Sequence, residues 1–245
     1  CDFELTIGGS EIPAYELPLS EGKVRVRGSI DRVDLMEKDG VKYIGVVDYK
    51  TGKKEFKLAE LFDGLNIQMV LYLMALEKNG RAYYGDIIPS GVLYLPSRIG
   101  LGNYLAERSP DDKAIEKQKR TSGKLSGMIL DSPVVFNGMG VKDYPDYFPA
   151  AFNANGGAKG NYYSLPQFHT LARLIDDKII SMGEALHKGE IPAMPLGDSD
   201  KKDGKMCKYC SYRTACTREA NEEYIDINNL THLKALERLD GENVE

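Results

Sequence analysis

Several things this chain lacks narrow the field before anything it contains is read. No apolar run approaches the roughly 20 residues that a helix needs to cross a bilayer, which excludes a helical membrane span. No charged-then-apolar leader opens the chain, so a cytoplasmic location is expected. Net positive charge is missing too. At −5, the whole-protein field does not draw in polyanions, and any such site has to be a local patch. Histidine is scarce. His169, His187 and His232 are the only three, and all fall late in the chain. Cysteine is also scarce, with four in 245 residues. Without a secretory leader these read as metal ligands rather than as a disulfide framework. No internal repeat or low-complexity tract appears.

What remains is an ordinary globular composition, 42% hydrophobic and 28% charged. A chain of 245 residues makes one large domain or two small ones, with a core that needs no staples. The short strand-like pieces at residues 3–20, with Pro13 and Pro18, open the chain abruptly, as a fragment of something longer would.

The informative stretch is GSIDRVDLMEKDGVKYIGVVDYK, from Gly28 to Lys50. Two alternating runs flank Glu37-Lys38-Asp39-Gly40, which predicts a β-hairpin. In the first run Val24, Val26, Gly28 and Ile30 share a face, with Asp31 on the other. In the second, Ile44, Val46, Asp48 and Lys50 share a face, because residues two apart on a strand point the same way. Asp48 and Lys50 therefore project side by side, and strand pairing is expected to bring Asp31 to them. Two carboxylates and an ammonium at a hairpin end are costly unless paired or metal-bound. Convergent carboxylates suit a hard divalent cation such as magnesium. The alternative is a surface hairpin with an ordinary Asp48–Lys50 ion pair. Lys50, Lys53, Lys54 and Lys57 form a local basic patch beside this triplet, open to reading as a phosphate-binding groove or as a solvated loop.

A helix is predicted from about Lys57 to Asn79, with Leu61, Leu65, Val70, Leu73 and Met74 as its apolar positions. Gln68 and Tyr72, four apart, share a face of it. GVLYL at residues 91–95 reads as a third core strand, ended by Pro96. From about 97 to 161 the pattern loosens into an insertion with one or two short helices and a polar segment, Asp111 to Lys124. Ser164 to Gln167 fits a capping box with Pro166 in the first turn, opening a helix to about Lys188. Cys207, Cys210 and Cys216 make C-x2-C-x5-C. Three thiolates need a fourth ligand, and Cys1 is the one other cysteine. Zinc and a [4Fe–4S] cluster both accept four cysteines, and a reduced, unmetallated trio is the third reading.

Taken in order, Gly28-Ser29-Ile30-Asp31, Asp48-Tyr49-Lys50, and Gln68 with Tyr72 resemble the RecB-type branch of the PD-(D/E)xK nucleases. That branch carries a G-x-[IV]-D strand, a D-Y-K strand and a Q-x-x-x-Y helix. With C-x2-C-x5-C downstream, residues 22–217 resemble the nuclease domain of the B subunit of AddAB-type ATP-dependent helicase–deoxyribonucleases. The resemblance implies an α/β, restriction-endonuclease-like core: a mixed central sheet flanked by helices, with an insertion and a C-terminal cysteine motif. It implies one nuclease domain over 1–225 and a tail over 226–245. It implies Asp31, Asp48 and the Tyr49 carbonyl as ligands of Mg2+ or Mn2+, and Lys50 positioning the attacking water. Gln68 and Tyr72 would brace the site and touch the DNA backbone. Cys207, Cys210, Cys216 and a distant cysteine would hold a [4Fe–4S] cluster. A DNA exonuclease acting in double-strand break repair and recombination, partnered by the helicase–nuclease A subunit and not by a membrane, is the implied function.

Two departures stand beside this. The family places a His or Glu ligand on a helix ahead of the first strand, and no histidine precedes Asp31 here. Its first cysteine precedes that helix, whereas Cys1 is followed by strand-like sequence, so the cluster is either incomplete in this chain or completed by Cys1. Two alternatives compete with the helicase–nuclease: a non-cutting DNA-binding module of the same fold, and the iron–sulfur nuclease of CRISPR adaptation. The intact Asp31, Asp48 and Lys50 favour cutting, and the long insertion favours the helicase–nuclease.

Overall fold

The computed structural model describes residues 1–52, 54–97, 120, 122–192, 194–197, 207–216, 225–226 and 230–241. The chain opens with strands β1 (Asp2–Ile7), β2 (Tyr15–Pro18), β3 (Lys23–Val26), β4 (Gly28–Lys38) and β5 (Val41–Lys50). Helices α1 (Leu58–Phe62), α2 (Gln68–Asn79) and α3 (Arg81–Tyr84) lead to β6 (Ile87–Pro96) and β7 (Ser126–Leu130). Helix α4 (Pro133–Gly138) and strands β8 (Ala150–Phe152), β9 (Ala158–Gly160) and β10 (Tyr162–Tyr163) precede the long helix α5 (Leu165–His187). The short strands β11 (Leu196–Gly197) and β12 (Ile225–Asp226) pair in parallel, and α6 (His232–Gly241) follows.

Six strands form one mixed sheet in the order β1-β4-β5-β6-β7-β10. The β4–β5 hairpin is antiparallel and closes on Lys38 opposite Val41. Asp39 and Gly40 both take positive φ, 53° and 77°, the two-residue turn whose twist matches that of the strands. β5 and β6 run parallel in the middle of the sheet. Ile44 to Asp48 are buried without a break, as in a strand covered on both faces. Helix α2 packs on β5 and β6 and is itself covered by α5, so Met69 to Leu76 are all buried. The predicted mixed sheet flanked by helices is thus the observed architecture. The capping box holds as well: Ser164 Oγ accepts the Gln167 N–H at 3.4 Å, and Gln167 Oε1 accepts the Ser164 N–H at 2.8 Å.

Four features depart from the sequence reading. The helix expected over 57–79 is two helices, broken where Gly64 and Asn66 take φ of 78° and 56°. Lys23–Val26 is not an extension of β4. It pairs with β2 in a separate two-stranded sheet, where Glu16 meets Lys23 at 2.6 Å and Arg25 at 2.7 Å. Residues 126–130, placed in the insertion, form β7 and pair with β6 in the main sheet, with Met128, Ile129 and Leu130 buried. Most of the polar segment 111–124 lies outside the described residues. In the stretch assigned to a C-terminal tail, α6 docks on α1 and α5 through Ala235, Leu236 and Leu239. Gln167 Nε2 donates to the Asp240 carboxylate at 2.9 and 3.0 Å, and the Arg238 guanidinium lies 4.6 Å from the Phe62 ring centre.

Candidate active site

The site gathers at the C-terminal end of β5. The antiparallel ladder ends with Arg32 facing Val47, and Asp31 and Asp48 are the next residues of their strands beyond that pair. Asp31 Oδ2 accepts the backbone N–H of Tyr49 at 2.9 Å, which fixes that carboxylate against the chain just past Asp48. The Tyr49 side chain points out to solvent, and its hydroxyl accepts from Arg32 at 3.3 Å.

Asp48 is 8% exposed. Its Oδ2 lies 2.5 Å from Lys50 Nζ, the ion pair of the alternative reading, though on a buried carboxylate and not on a surface hairpin. At that distance the ammonium holds the oxygen in a close, charge-assisted pair. A carboxylate this buried is stable as an anion only beside a cation, and the Lys50 ammonium holds that place here. The donor set, two hard oxygen ligands on adjacent strands, fits magnesium or manganese.

On α2, Gln68 Nε2 donates to the Tyr72 hydroxyl at 2.9 Å. Tyr72 is buried, and its Oη would stand 2.2 Å from a Cβ at residue 28. Gly28 therefore lets α2 seat against the start of β4, three residues before Asp31. Gln68 and Tyr72 come together as a pair, and through Gly28 that pair is joined to the strand that carries Asp31.

Two features of the site were not read from the sequence. Tyr94, inside GVLYL, faces Asp48 from β6. Burial, then the Asp48 and Glu60 charges, push its phenol up to about 12. Lys54 reaches across to donate to Asn66 Oδ1, and Asn66 Nδ2 donates to Glu60 Oε2 at 2.5 Å. Lys54 is thus not a bare phosphate ligand. Lys57 sits 3.9 Å from Glu55 in an exposed pair, and Lys53 lies outside the described residues. The Tyr94 register follows from the β5–β6 pairing and carries no local signature. The Lys54 bridge depends on a helix break that apolar spacing does not reveal.

Cys207 opens a single 3-10 turn (Cys207–Tyr209), and Cys210 N–H donates to the Cys207 carbonyl at 3.3 Å. Cys207 is half-buried, while Cys210, Cys216 and Cys1 are exposed. Among the described residues no three His, Cys, Asp or Glu side chains gather as a metal-holding group. Among the described residues the cysteines are not closed into a ligand set, and no third His, Cys, Asp or Glu groups with Asp31 and Asp48.

The family model of the PD-(D/E)XK nuclease superfamily matches residues 2–217. The chain belongs to that superfamily. Its curated relatives include the B subunit of an ATP-dependent helicase/deoxyribonuclease from Clostridium botulinum (strain Loch Maree / Type A3), 33% identical over 213 residues, 84% of this chain and 18% of that protein. B subunits of the same description from Thermoanaerobacter sp. (strain X514), 31% identical over 90% of this chain and 19% of theirs, and from Clostridium acetobutylicum, 31% over 92% and 19%, are similar in the same way. This nuclease-superfamily chain thus spans less than a fifth of the length of the relatives it matches. Among its described residues, no helix is long and apolar enough to cross a membrane.

Proposed function

We propose that this chain is the nuclease domain of the B subunit of a helicase–deoxyribonuclease, an exonuclease that hydrolyses DNA phosphodiesters with Mg2+ or Mn2+. The observation that carries the reading is the buried Asp48 carboxylate paired with Lys50, with the Asp31 carboxylate held by the Tyr49 N–H just past it. Asp31, Asp48 and the Tyr49 carbonyl would hold the cation, which when bound supplies Lewis acidity toward a phosphoryl oxygen. The protein's own contribution is placement. Asp31 is oriented by the Tyr49 amide. Lys50 holds an ammonium where it can orient a water and meet developing negative charge. Gln68 and Tyr72 steady each other and present polar groups to a single strand's backbone. The role in double-strand break repair, and assembly with an A subunit, are proposed from the resemblance to AddAB-type enzymes, while the relatives' names say only that they are B subunits of an ATP-dependent helicase/deoxyribonuclease.

Asp48→Ala is expected to abolish magnesium-dependent cleavage of single-stranded DNA while the circular dichroism spectrum stays that of wild type. Cleavage by Asp48→Ala at the wild-type rate would sink the reading.

A [4Fe–4S] cluster on Cys207, Cys210, Cys216 and a fourth cysteine, Cys1 or one upstream, is proposed for the full-length protein. The thiols as placed do not close such a set, and no step is derived through it. Anaerobically purified full-length protein should absorb visible light; a colourless, zinc-containing product would overturn this.

A further inference from the structure

Tyr94, inside the GVLYL strand, brings its ring against two lysines of the site, Lys50 and Lys54. The parallel pairing of β5 and β6 sets it opposite Asp48, on the same face of the sheet. It is 5% exposed. Lys50 Nζ lies 5.7 Å from its ring centre, and Lys54 Nζ lies 6.0 Å from it. Both distances fall within the roughly 6 Å at which a cation is drawn to the negative face of an aromatic ring. The phenol keeps its proton well past neutrality, so the ring adds no charge of its own.

Lys50 therefore has two partners, the Asp48 carboxylate at 2.5 Å and the Tyr94 ring. The first conflicts with cation binding, because an ammonium and a divalent cation compete for one carboxylate oxygen and repel each other. The second does not. Lys54 cannot take over the role, since its ammonium is tied to Asn66 and through it to Glu60.

We propose that Tyr94 is a positioning residue whose ring is the second seat of the Lys50 ammonium, keeping it beside the site once a divalent cation takes Asp48. The proposal rests on reading Asp31 and Asp48 as a cation site. It makes the ring, and not the hydroxyl, the working part.

The test compares Tyr94→Phe, which keeps the ring, with Tyr94→Met, which keeps most of the volume and loses it; Tyr94→Leu substitutes should the methionine variant not fold. Three quantities are read: Mn2+ affinity by calorimetry without DNA, the chemical shift of the Lys50 ε-methylene protons, and kcat and KM on single-stranded DNA. With the ring gone, Mn2+ binding should weaken and kcat should fall, each by roughly tenfold, the scale of one cation–π contact in a partly desolvated site, with KM for DNA unchanged. The Lys50 ε protons should lose their ring-current shift. Tyr94→Phe should rescue all three. Equal Mn2+ affinity and kcat in wild type and Tyr94→Met would overturn the proposal, and so would a Tyr94→Phe defect as large as that of Tyr94→Met. Asp48→Ala serves as the reference. If it binds Mn2+ as wild type does, the cation-site reading itself has failed. If it loses Mn2+ while Tyr94→Met does not, the failure belongs to Tyr94 alone.

Discussion

Gly28→Ala puts a single methyl group into the tightest contact of the site. The added Cβ would lie 2.2 Å from the Tyr72 hydroxyl oxygen and 2.8 Å from ring carbons Cε1 and Cζ. None of these atoms has room to retreat, because Tyr72 is buried on α2 and its hydroxyl is held by Gln68. Overpacking of a filled core costs about 1–3 kcal/mol. Displacing Tyr72 also breaks the Gln68–Tyr72 hydrogen bond, a loss of about 0.5–1.5 kcal/mol. Together the change should destabilise the domain by roughly 2–4 kcal/mol, or about 5–15 °C in Tm for a domain of this size.

Thermal unfolding of wild type, Gly28→Ala, Tyr72→Phe and the double variant checks both the size and the cause. Tyr72→Phe removes the oxygen that makes the worst contact. The double variant should therefore lose less than the sum of the singles, by about 1 kcal/mol, while the 2.8 Å ring contacts keep it below wild type. An unchanged Tm for Gly28→Ala, or strict additivity in the double variant, would refute the argument that Gly28 is there to seat Tyr72. Cleavage should fall further in Gly28→Ala than the loss of folded protein explains, since the displaced pair is the one proposed to meet the DNA backbone.

Phosphate contacts add about 0.7 each to the salt dependence of single-strand binding on a log–log plot, so replacing Lys53, Lys54 and Lys57 together by alanine should flatten the slope and weaken binding to all sequences. An unchanged slope there, with a flatter one after replacing Lys113, Lys117, Lys119, Arg120 and Lys124, would place the DNA path along the polar segment 111–124 instead. His232 offers a pH test. Burial holds its pKa below the ordinary value, its Nε2 donates to the Tyr162 carbonyl at 2.7 Å, and its buried Nδ1 has no hydrogen-bond partner among the described residues. The neutral ring therefore contributes stability that is fully present above the unfolded pKa of about 6.5 and is lost as pH falls toward the lower folded value. Amide protection factors over 232–241 should drop between about pH 7.5 and 5.5 relative to those of β5, and equal protection at both values would count against it.

The hairpin and its carboxylates were legible because two local rules fix them. Asp39-Gly40 sets the turn, the turn sets the register, and the period of two then puts Asp48 and Lys50 on one face, with Asp31 reaching β5 at the Tyr49 amide. The cap of α5 was legible for a similar reason, since Ser164 and Gln167 satisfy each other within one turn. β7 was not. Its three buried apolar residues show no alternation, and their place beside β6 is decided by a pairing between strands far apart in the chain. The separation of β3 from β4 was hidden because Val24 and Val26 continue the alternation of Gly28 and Ile30. The strand partner, and not the pattern, decides that they join Leu17 and Tyr15 instead.

The break between α1 and α2 shows the same limit at the site itself. Leu61 and Leu65 are four apart, as a continuous helix requires, so apolar spacing runs straight through the break. Asn66 decides otherwise. An asparagine tolerates positive φ better than most residues, and here its side chain accepts from Lys54 and donates to Glu60 while its backbone turns. The turn has two results. It makes Gln68 the first residue of a new helix, with Tyr72 one turn on, so the pair stands at the end of α2 and Tyr72 reaches β4 at Gly28. It also ties the loop that follows Lys50 to that same end, through Lys54. The loop that follows β5 and helix α1 are thus joined by one asparagine side chain, immediately ahead of α2, at the point where the helical pattern alone would have run on unbroken.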